Sequence, residues 1–299
     1  KNADIAELVF TNGSTLRCTP DHHIATLNRG MIEAKDLTID DKILVGVSNM
    51  TDSIVGKMPN TTEEILSFLC GLIMGDGAIS IKKMQEQHLL SFWGEDAMRM
   101  TNICMHLIDI LHERHGDITG NKGRKLSKYF ISKYYHADGS IKKIVMHSSY
   151  LGQLSKKYLN YTKTTKHVVP EFIMNNACTN IGKFFIVGMM YCDASISGNI
   201  SRGISVRLHQ SNLELLRQIQ MLFNSNGFYS TIKIRRKAQH RSMPDGKGGY
   251  KEYFTKANYI AFMNKLDREL QIKLLNNINE FLTILFMFKY STRLIQDGI

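Results

Sequence analysis

Cysteine is scarce and without a pairing pattern. The five, Cys18, Cys70, Cys104, Cys178 and Cys192, are odd in number, scattered over 299 residues and include no Cys-x-x-Cys pair, so neither a disulfide framework nor a thiolate zinc site is indicated. A reducing, intracellular setting is expected: cytoplasm, nucleus or organelle matrix. Long hydrophobic runs are missing too. The longest near the C-terminus, Phe281 to Phe288, is interrupted by Thr283 and too short for a bilayer. The N-terminus shows no signal-peptide pattern, and no membrane partner is expected. Acidic residues are in deficit, 27 Asp and Glu against 38 Lys and Arg, a formal charge of +11. That balance points to a polyanionic partner, and the length allows a sizeable core divided over two or three units.

The positive charge is unevenly spread. Residues 1–60 carry six Lys and Arg against eight Asp and Glu, which leaves +13 for the remainder. This acidic first part reads as short strands broken by turns: Ile5 to Thr11, the Asn12-Gly13 hairpin signal, Thr15 to Cys18, Ile24 to Leu27 and Ile43 to Val47. Thr51 to Thr62 reads as a linker, and Thr61-Thr62-Glu63-Glu64 as a helix start with acids in its first turn. The divisions expected are 1–58, a small all-β module, then 59–168 and 169–299, two halves of one duplicated unit.

The duplication is carried by two apolar stretches, Phe68 to Gly77 and Phe185 to Ala194, each a helix ending in one carboxylate, Asp76 and Asp193, 117 residues apart. In each, two small residues lie four apart, Gly71 with Gly75 and Gly188 with Cys192, on one helix face where a second backbone can approach closely. Packed in parallel, the helices bring both aspartates to one end, beside two negative helix C-termini. Such a cluster calls for a cation. The order after each aspartate repeats as two strands, an amphipathic helix, two strands and a helix. The second copy runs through Ile204 to His209, a helix from Asn212 capped by Ser211, Thr231 to Lys237, a loop with Pro244, Gly246, Gly248 and Gly249, a strand Tyr250 to Lys256 and a helix from Tyr259. A last helix, Leu270 to Phe288, is apolar enough to pack on the core. The class expected is α+β, a pseudo-symmetric, duplicated αββαββα arrangement.

Leu69-Cys70-Gly71-Leu72-Ile73-Met74-Gly75-Asp76-Gly77 and Ile186-Val187-Gly188-Met189-Met190-Tyr191-Cys192-Asp193-Ala194 resemble the LAGLIDADG motif. The chain looks like a double-motif, monomeric LAGLIDADG homing endonuclease of intein type. The second copy departs in Ala194, Tyr191 and its methionines. The resemblance implies cleavage of both strands of a long double-stranded DNA target across the minor groove, leaving 3′ overhangs. It also implies a catalytic lysine near the fourth strand, where Lys256 stands in the second half and His147 in the first. Asp76 and Asp193 would be the metal ligands, a hard-oxygen site for Mg²⁺, with Mn²⁺ as substitute.

The first part adds a second resemblance. Cys18-Thr19-Pro20-Asp21-His22-His23, followed by Gly30, Ala34-Lys35-Asp36-Leu37 and Asp40-Asp41-Lys42-Ile43, is similar to the Hedgehog/intein (Hint) splicing fold. There Thr19 and His22 would be a vestigial pair that activates a scissile amide; the alternative is a turn threonine and a structural histidine. Splicing needs a Cys or Ser at the first position and a terminal His-Asn. With Lys1 and Ile299 at the ends, no splicing is expected of this chain.

Two basic stretches fall at matched places, residues 120–143 and 229–256, each with a net of +6. Their strands alternate apolar and polar residues, as a sheet with one core face and one open face requires, and a β-ribbon fits a major groove. The DNA contacts expected are Lys82, Arg124, Lys125, Lys128 and Lys142 in the first half. In the second they are Ser205, Arg207, His209, Lys233, Arg235, Lys237 and Lys251. Alternatives are an RNA maturase that binds intron RNA, a noncatalytic DNA-binding relative, which would be expected to lack one aspartate, and a trimmed splicing element.

Overall fold

The computed structural model describes residues 4–44, 57–82, 85–120, 123–199, 203–226, 230–244 and 249–263. Contacts group residues 1–50 with 196–264 in one unit, and 51–195 with 265–299 in another. This grouping cuts across the three divisions drawn from sequence. No helix among the described residues is long and apolar enough to cross a membrane.

The first unit starts with two hairpins, β1 (Ala6–Val9) with β2 (Thr15–Cys18), and β3 (His23–Thr26) with β4 (Gly30–Glu33). Between β1 and β2, Gly13 takes φ +83°, which only glycine adopts freely. The Asn12 side-chain oxygen accepts from the Ser14 amide at 3.0 Å. Ile43 pairs with Thr26 as an isolated bridge and the Leu44 amide donates to the Ala25 carbonyl at 2.9 Å; residues 45–47 of the expected strand lie outside the described residues.

The other unit follows the expected order. Helix α1 (Thr62–Gly75) opens with a capping box, in which Thr61 Oγ1 accepts from the Glu64 amide at 3.2 Å and Glu64 Oε2 from the Thr61 amide at 3.1 Å. Ten of its fourteen residues are buried, so it is a core helix and has no solvent face to speak of. Then come β5 (Ala78–Lys82), β6 (Gln85–Trp93), α2 (Ala97–His115), β7 (Phe130–Tyr135), β8 (Ile141–Ser148) and α3 (Ser149–Leu159). The strands form an antiparallel sheet in the order β5-β6-β8-β7. Ile79, His88, Leu90, Phe92, Ile144 and Met146 are buried on the face covered by the helices. A short α4 (Glu171–Asn175) and the second core helix, α5 (Asn180–Asp193), complete the unit.

After α5 the chain returns to the first unit with β9 (Ala194–Asn199), β10 (Gly203–Gln210), α6 (Leu213–Ser225), β11 (Ser230–Arg236), β12 (Gln239–Pro244), β13 (Tyr250–Thr255) and β14 (Asn258–Met263). The cap of α6 is Asn212, whose Oδ1 accepts from the Leu215 amide at 3.2 Å; Ser211 was expected there. Its sheet runs β11-β14-β10-β9, the same order as β7-β8-β6-β5. Two expectations are corrected. Residues from Tyr259 form a strand and not a helix, because β14 fills the place that β8 has in the other sheet. The segment 250–255 is not the fourth sheet strand; among the described residues it pairs with β12 alone, in a separate ribbon. Over the described residues the second copy is therefore αββαββ with a ribbon inserted before its last described strand. The helix expected from Leu270 lies outside the described residues.

The hairpin turn of β1 and β2 is part of this second sheet's packing. The Asn12 carbonyl accepts from the Ile232 amide at 3.2 Å and from Gln220 Nε2 at 3.0 Å, and Gln220 also donates to the Ser230 carbonyl at 2.8 Å. Asn12, Gln220 and Ser230 are buried, so these bonds replace water for the end of an edge strand.

Candidate active site and nucleic-acid interface

The site is built on the contact between α1 and α5. Ser67 Oγ donates to the Ile181 carbonyl at 2.6 Å, Gly71 meets Gly188, and Gly75 meets Cys192. Both helices advance in the same direction along this series, so they are parallel. A Cβ built on Gly71 would stand 2.4 Å from the Phe185 carbonyl oxygen, and one on Gly188 would stand 2.4 Å from the Phe68 carbonyl oxygen. The four small residues are thus the reason that the backbones touch.

Asp76 caps the end of α1 in an αR conformation, and Asp193 is the last residue of α5. A Cβ on Gly75 would lie 3.6 Å from Asp193 Oδ2, which places the Asp193 carboxylate against the residue preceding Asp76. Asp76 is exposed and Asp193 half-buried. Both therefore sit where the negative ends of two helices converge. Among the described residues no group of three or more His, Cys, Asp and Glu gathers to hold a metal. A pair of carboxylates suits Mg²⁺, which is held by one or two carboxylates with water and substrate phosphate oxygens completing its shell.

A cation that sequence reasoning missed lies at the same end. Lys166, in the loop after α3, donates from Nζ to the carbonyl of Gly77 at 2.7 Å, next to Asp76. Burial holds its pKa below the ordinary lysine value. Beneath it His88 is fully buried and kept neutral, its pKa held down to about 3 by burial first and by the charge of Lys166 second. The signal for Lys166 in the sequence is faint: one lysine two residues before Val168-Val169-Pro170, with no pattern around it.

The other expected residues separate. His147 lies on β8, in register with Leu89, which is in register with Ala78. That is two strand spacings, roughly 10 Å, from the residue beside Gly77. Its ring stacks on Phe130, centroids 4.3 Å apart, and burial, then Lys82, lowers its pKa. Lys82 Nζ stands 5.5 Å over the Phe130 ring. These three share the open face of the sheet with Lys143, which stands 4.4 Å over Trp93. Lys256 is exposed in the two-residue connection between β13 and β14, so it does not occupy the strand position matched to His147.

Among the expected DNA contacts, Lys125 is paired with Asp117 at 2.6 Å and Lys128 with Asp109 at 2.6 Å. Neither lies on a strand. Arg124 is exposed in the same loop, and Lys142 alternates with Lys143, so it points away from the open face. In the other sheet Val206, Leu208 and Ala261 are buried where α6 packs. Arg207, His209, Lys233 and Arg235 line the opposite side, in rows set by the register with β14. Arg235 donates to His209 Nδ1 at 3.2 Å; burial first, then Arg235 and Arg207, lowers the His209 pKa. The Ser205 side chain lies outside the described residues, and Lys237 and Lys251 belong to the ribbon and its root. Thr19 and His22 are exposed in one turn, where the His22 amide donates to the Thr19 carbonyl at 3.0 Å, and the Thr19 hydroxyl is the main cause of a lowered Asp21 pKa.

Residues 183–267 match the LAGLIDADG-like domain, a span that begins inside α5, includes Asp193 and takes in the second sheet. Over 284 residues the chain is 24% identical to the ribonucleoside-diphosphate reductase NrdEB subunit alpha of Bacillus subtilis (strain 168), and equally to that of Bacillus phage SPbeta. Those alignments take in 90% of this chain and 24% of each relative, so the chain spans about a quarter of their length. Among solved structures, a mesophilic variant of the homing endonuclease I-DmoI is similar with a TM-score of 0.42 and 16% identity, over 73% of this chain and 96% of that one.

Proposed function

We propose that the chain is a site-specific double-strand DNA endonuclease of the LAGLIDADG type, hydrolysing one phosphodiester on each strand of a long asymmetric target. The observation that carries this reading is the meeting of Asp76 and Asp193 at one end of two parallel helices in backbone contact. Both carboxylates belong to one chain, which favours a monomer. Mg²⁺ held by Asp76 and Asp193 would supply an activated water and neutralise charge on the phosphate. Lys166, and not Lys256 or His147, is the lysine proposed to steady the developing negative charge. Its ammonium is tethered to the carbonyl of Gly77, the residue after Asp76, and is held in place before reaction. The open sheet faces, with Lys82, Lys143 and His147 on one and Arg207, His209, Lys233 and Arg235 on the other, are proposed to lie in the grooves. We propose further that residues 1–58 are a partial Hint-like module and that the whole is a segment carried within a longer protein. The one-quarter coverage of the NrdEB subunits is in keeping with that.

The reading is tested by binding. Affinity for duplex DNA should fall steeply between low and physiological salt, by about one counterion for each phosphate neutralised; a nearly flat response would refute the interface. A maturase would instead prefer structured RNA to duplex DNA.

Lys166→Met should lower cleavage by about 10²–10³-fold, the usual cost of removing one preorganised donor, with duplex affinity little changed. The lowered pKa of Lys166 fixes the sign of the pH effect. The residue is cationic at neutral pH and loses its charge earlier than an exposed lysine as pH rises, so parental activity should decline at the alkaline end. In Lys166→Met that decline should be absent. A parental profile that rises without limit, or an unaltered rate in the variant, would exclude Lys166 from the chemistry.

A further inference from the structure

The ribbon of β12 and β13 has no counterpart between β7 and β8, where the turn from His136 to Ser140 suffices. At its root Arg235, Arg236, Arg241 and Asn258 line one open cavity of about 380 Å³. Neighbouring residues of a regular strand point to opposite faces, so Arg235 and Arg236 would not ordinarily share it. The register of β11 against β14 breaks between Ile234 and Arg236, and the extra residue of such a bulge re-aims its side chain. Arg241 joins them from β12. With its amide turned, Gln239 accepts from Arg241 Nε at 2.8 Å and from Nη2 at 3.0 Å, which fixes the guanidinium plane.

Three guanidiniums around one cavity repel one another. The ion pairs described for this unit lie elsewhere: Arg17 with Glu7, Arg29 with Asp41, Lys35 with Glu33 and Arg217 with Glu214. The fourth member, Asn258, has a buried side-chain oxygen with no hydrogen-bond partner, and its amide turned end for end would present an NH₂ donor. Pockets for small organic ligands are mostly apolar. This lining is cationic and rich in donors, and the planar fork of arginine matches the paired oxygens of a phosphate.

We infer that this cavity is a phosphate subsite, gripping one phosphodiester of a nucleic-acid backbone. It continues the polar face of the second sheet, since Arg235 also bonds His209 there. The inference rests on the DNA reading above and adds the place where the inserted ribbon takes hold.

The test uses the full chain and a random-sequence duplex with Ca²⁺ in place of Mg²⁺, with anisotropy followed across a KCl series. Arg236→Gln with Arg241→Gln should lower the slope of log affinity against log salt by about one and weaken binding alike on unrelated sequences. Arg236→Lys with Arg241→Lys should keep the slope yet still bind more weakly, because the charge remains while the fork is lost. Removing two charges from the acidic first module, by Arg17→Gln with Lys35→Gln, should alter neither slope nor affinity as much. Inorganic phosphate should displace DNA from the parent more strongly than chloride of equal ionic strength, and should lose that advantage on the Gln variant. A parent that binds duplex with a slope equal to that of the Gln variant overturns the subsite and leaves the DNA reading standing. A parent that binds no duplex at low salt overturns both. Phosphate that protects only the parent from thermal unfolding, with equal salt slopes, assigns the cavity to a free anion and overturns the backbone assignment.

Discussion

Asp76→Asn and Asp193→Asn should each abolish double-strand cleavage in Mg²⁺ while duplex binding survives. Each carboxylate terminates one of two helices whose negative ends converge. Neutralising either one removes a charged ligand from a site with two side-chain carboxylates and no third acidic or imidazole partner gathered among the described residues. The shape is kept, because an amide has the size of the acid. Binding to a polyanion should hold or tighten slightly, since the substitution removes negative charge. A supercoiled plasmid carrying the target separates the outcomes: the parent gives linear product, and each variant gives none beyond a nicked circle. Full linearisation by either variant would refute the assignment of the site. Loss of binding together with cleavage would show a role in folding instead.

Gly188→Val should be the most damaging single substitution for stability, with Gly188→Ala close behind. The new Cβ would meet the Phe68 carbonyl oxygen at 2.4 Å and the Leu72 amide nitrogen at 3.0 Å, backbone atoms inside a helix that cannot turn aside. Alanine normally favours a helix by about 0.5–1 kcal/mol over glycine, whereas overpacking a core costs about 1–3 kcal/mol and at times more. The clash is with main chain, so the second effect wins. Gly188→Ala should lower the melting temperature by about 5–10 °C, at roughly 2–4 °C per kcal/mol. The valine should prevent cooperative folding of the unit that contains α1 and α5. Circular dichroism melts decide this, and a valine variant within a degree or two of the parent would mean that the helices do not touch as described. In the alanine variant cleavage should fall further than stability, because Asp193 lies five residues along the displaced helix.

The first half was legible because every local signal agreed. Thr61 with Glu64 and the apolar run of α1 each pointed to the element that formed. The two helix termini were legible for the same reason, since Gly71, Gly75, Gly188 and Cys192 dictate a close parallel approach. The end of the second half was not. Asn258-Tyr259-Ile260-Ala261-Phe262-Met263 carries aromatic and β-branched residues suited to a strand, yet the repeated order of elements argues for a helix from Tyr259. Gln239 to Pro244 lacks alternation because both faces of its ribbon are open to water, with Tyr250 75% and Phe254 62% exposed on the partner strand. A strand with no buried side leaves no hydrophobic period to read. Lys166 was missed because its bond is to the carbonyl of Gly77, 89 residues away, which no local pattern records.

The turn at Asn12 and Gly13 sets an order on how this chain can be completed. Its buried partner Gln220 follows Asn12 by 208 positions, so closing that contact costs several kcal/mol of chain entropy. At about 5–20 residues per second on the ribosome, the hairpin waits roughly 10–40 s for the helix and strand that will cover it. Until then the Asn12 carbonyl has only water. Docking therefore belongs to the last stage of folding, and a chain halted anywhere before Ile232 would hold its first hairpin unattached.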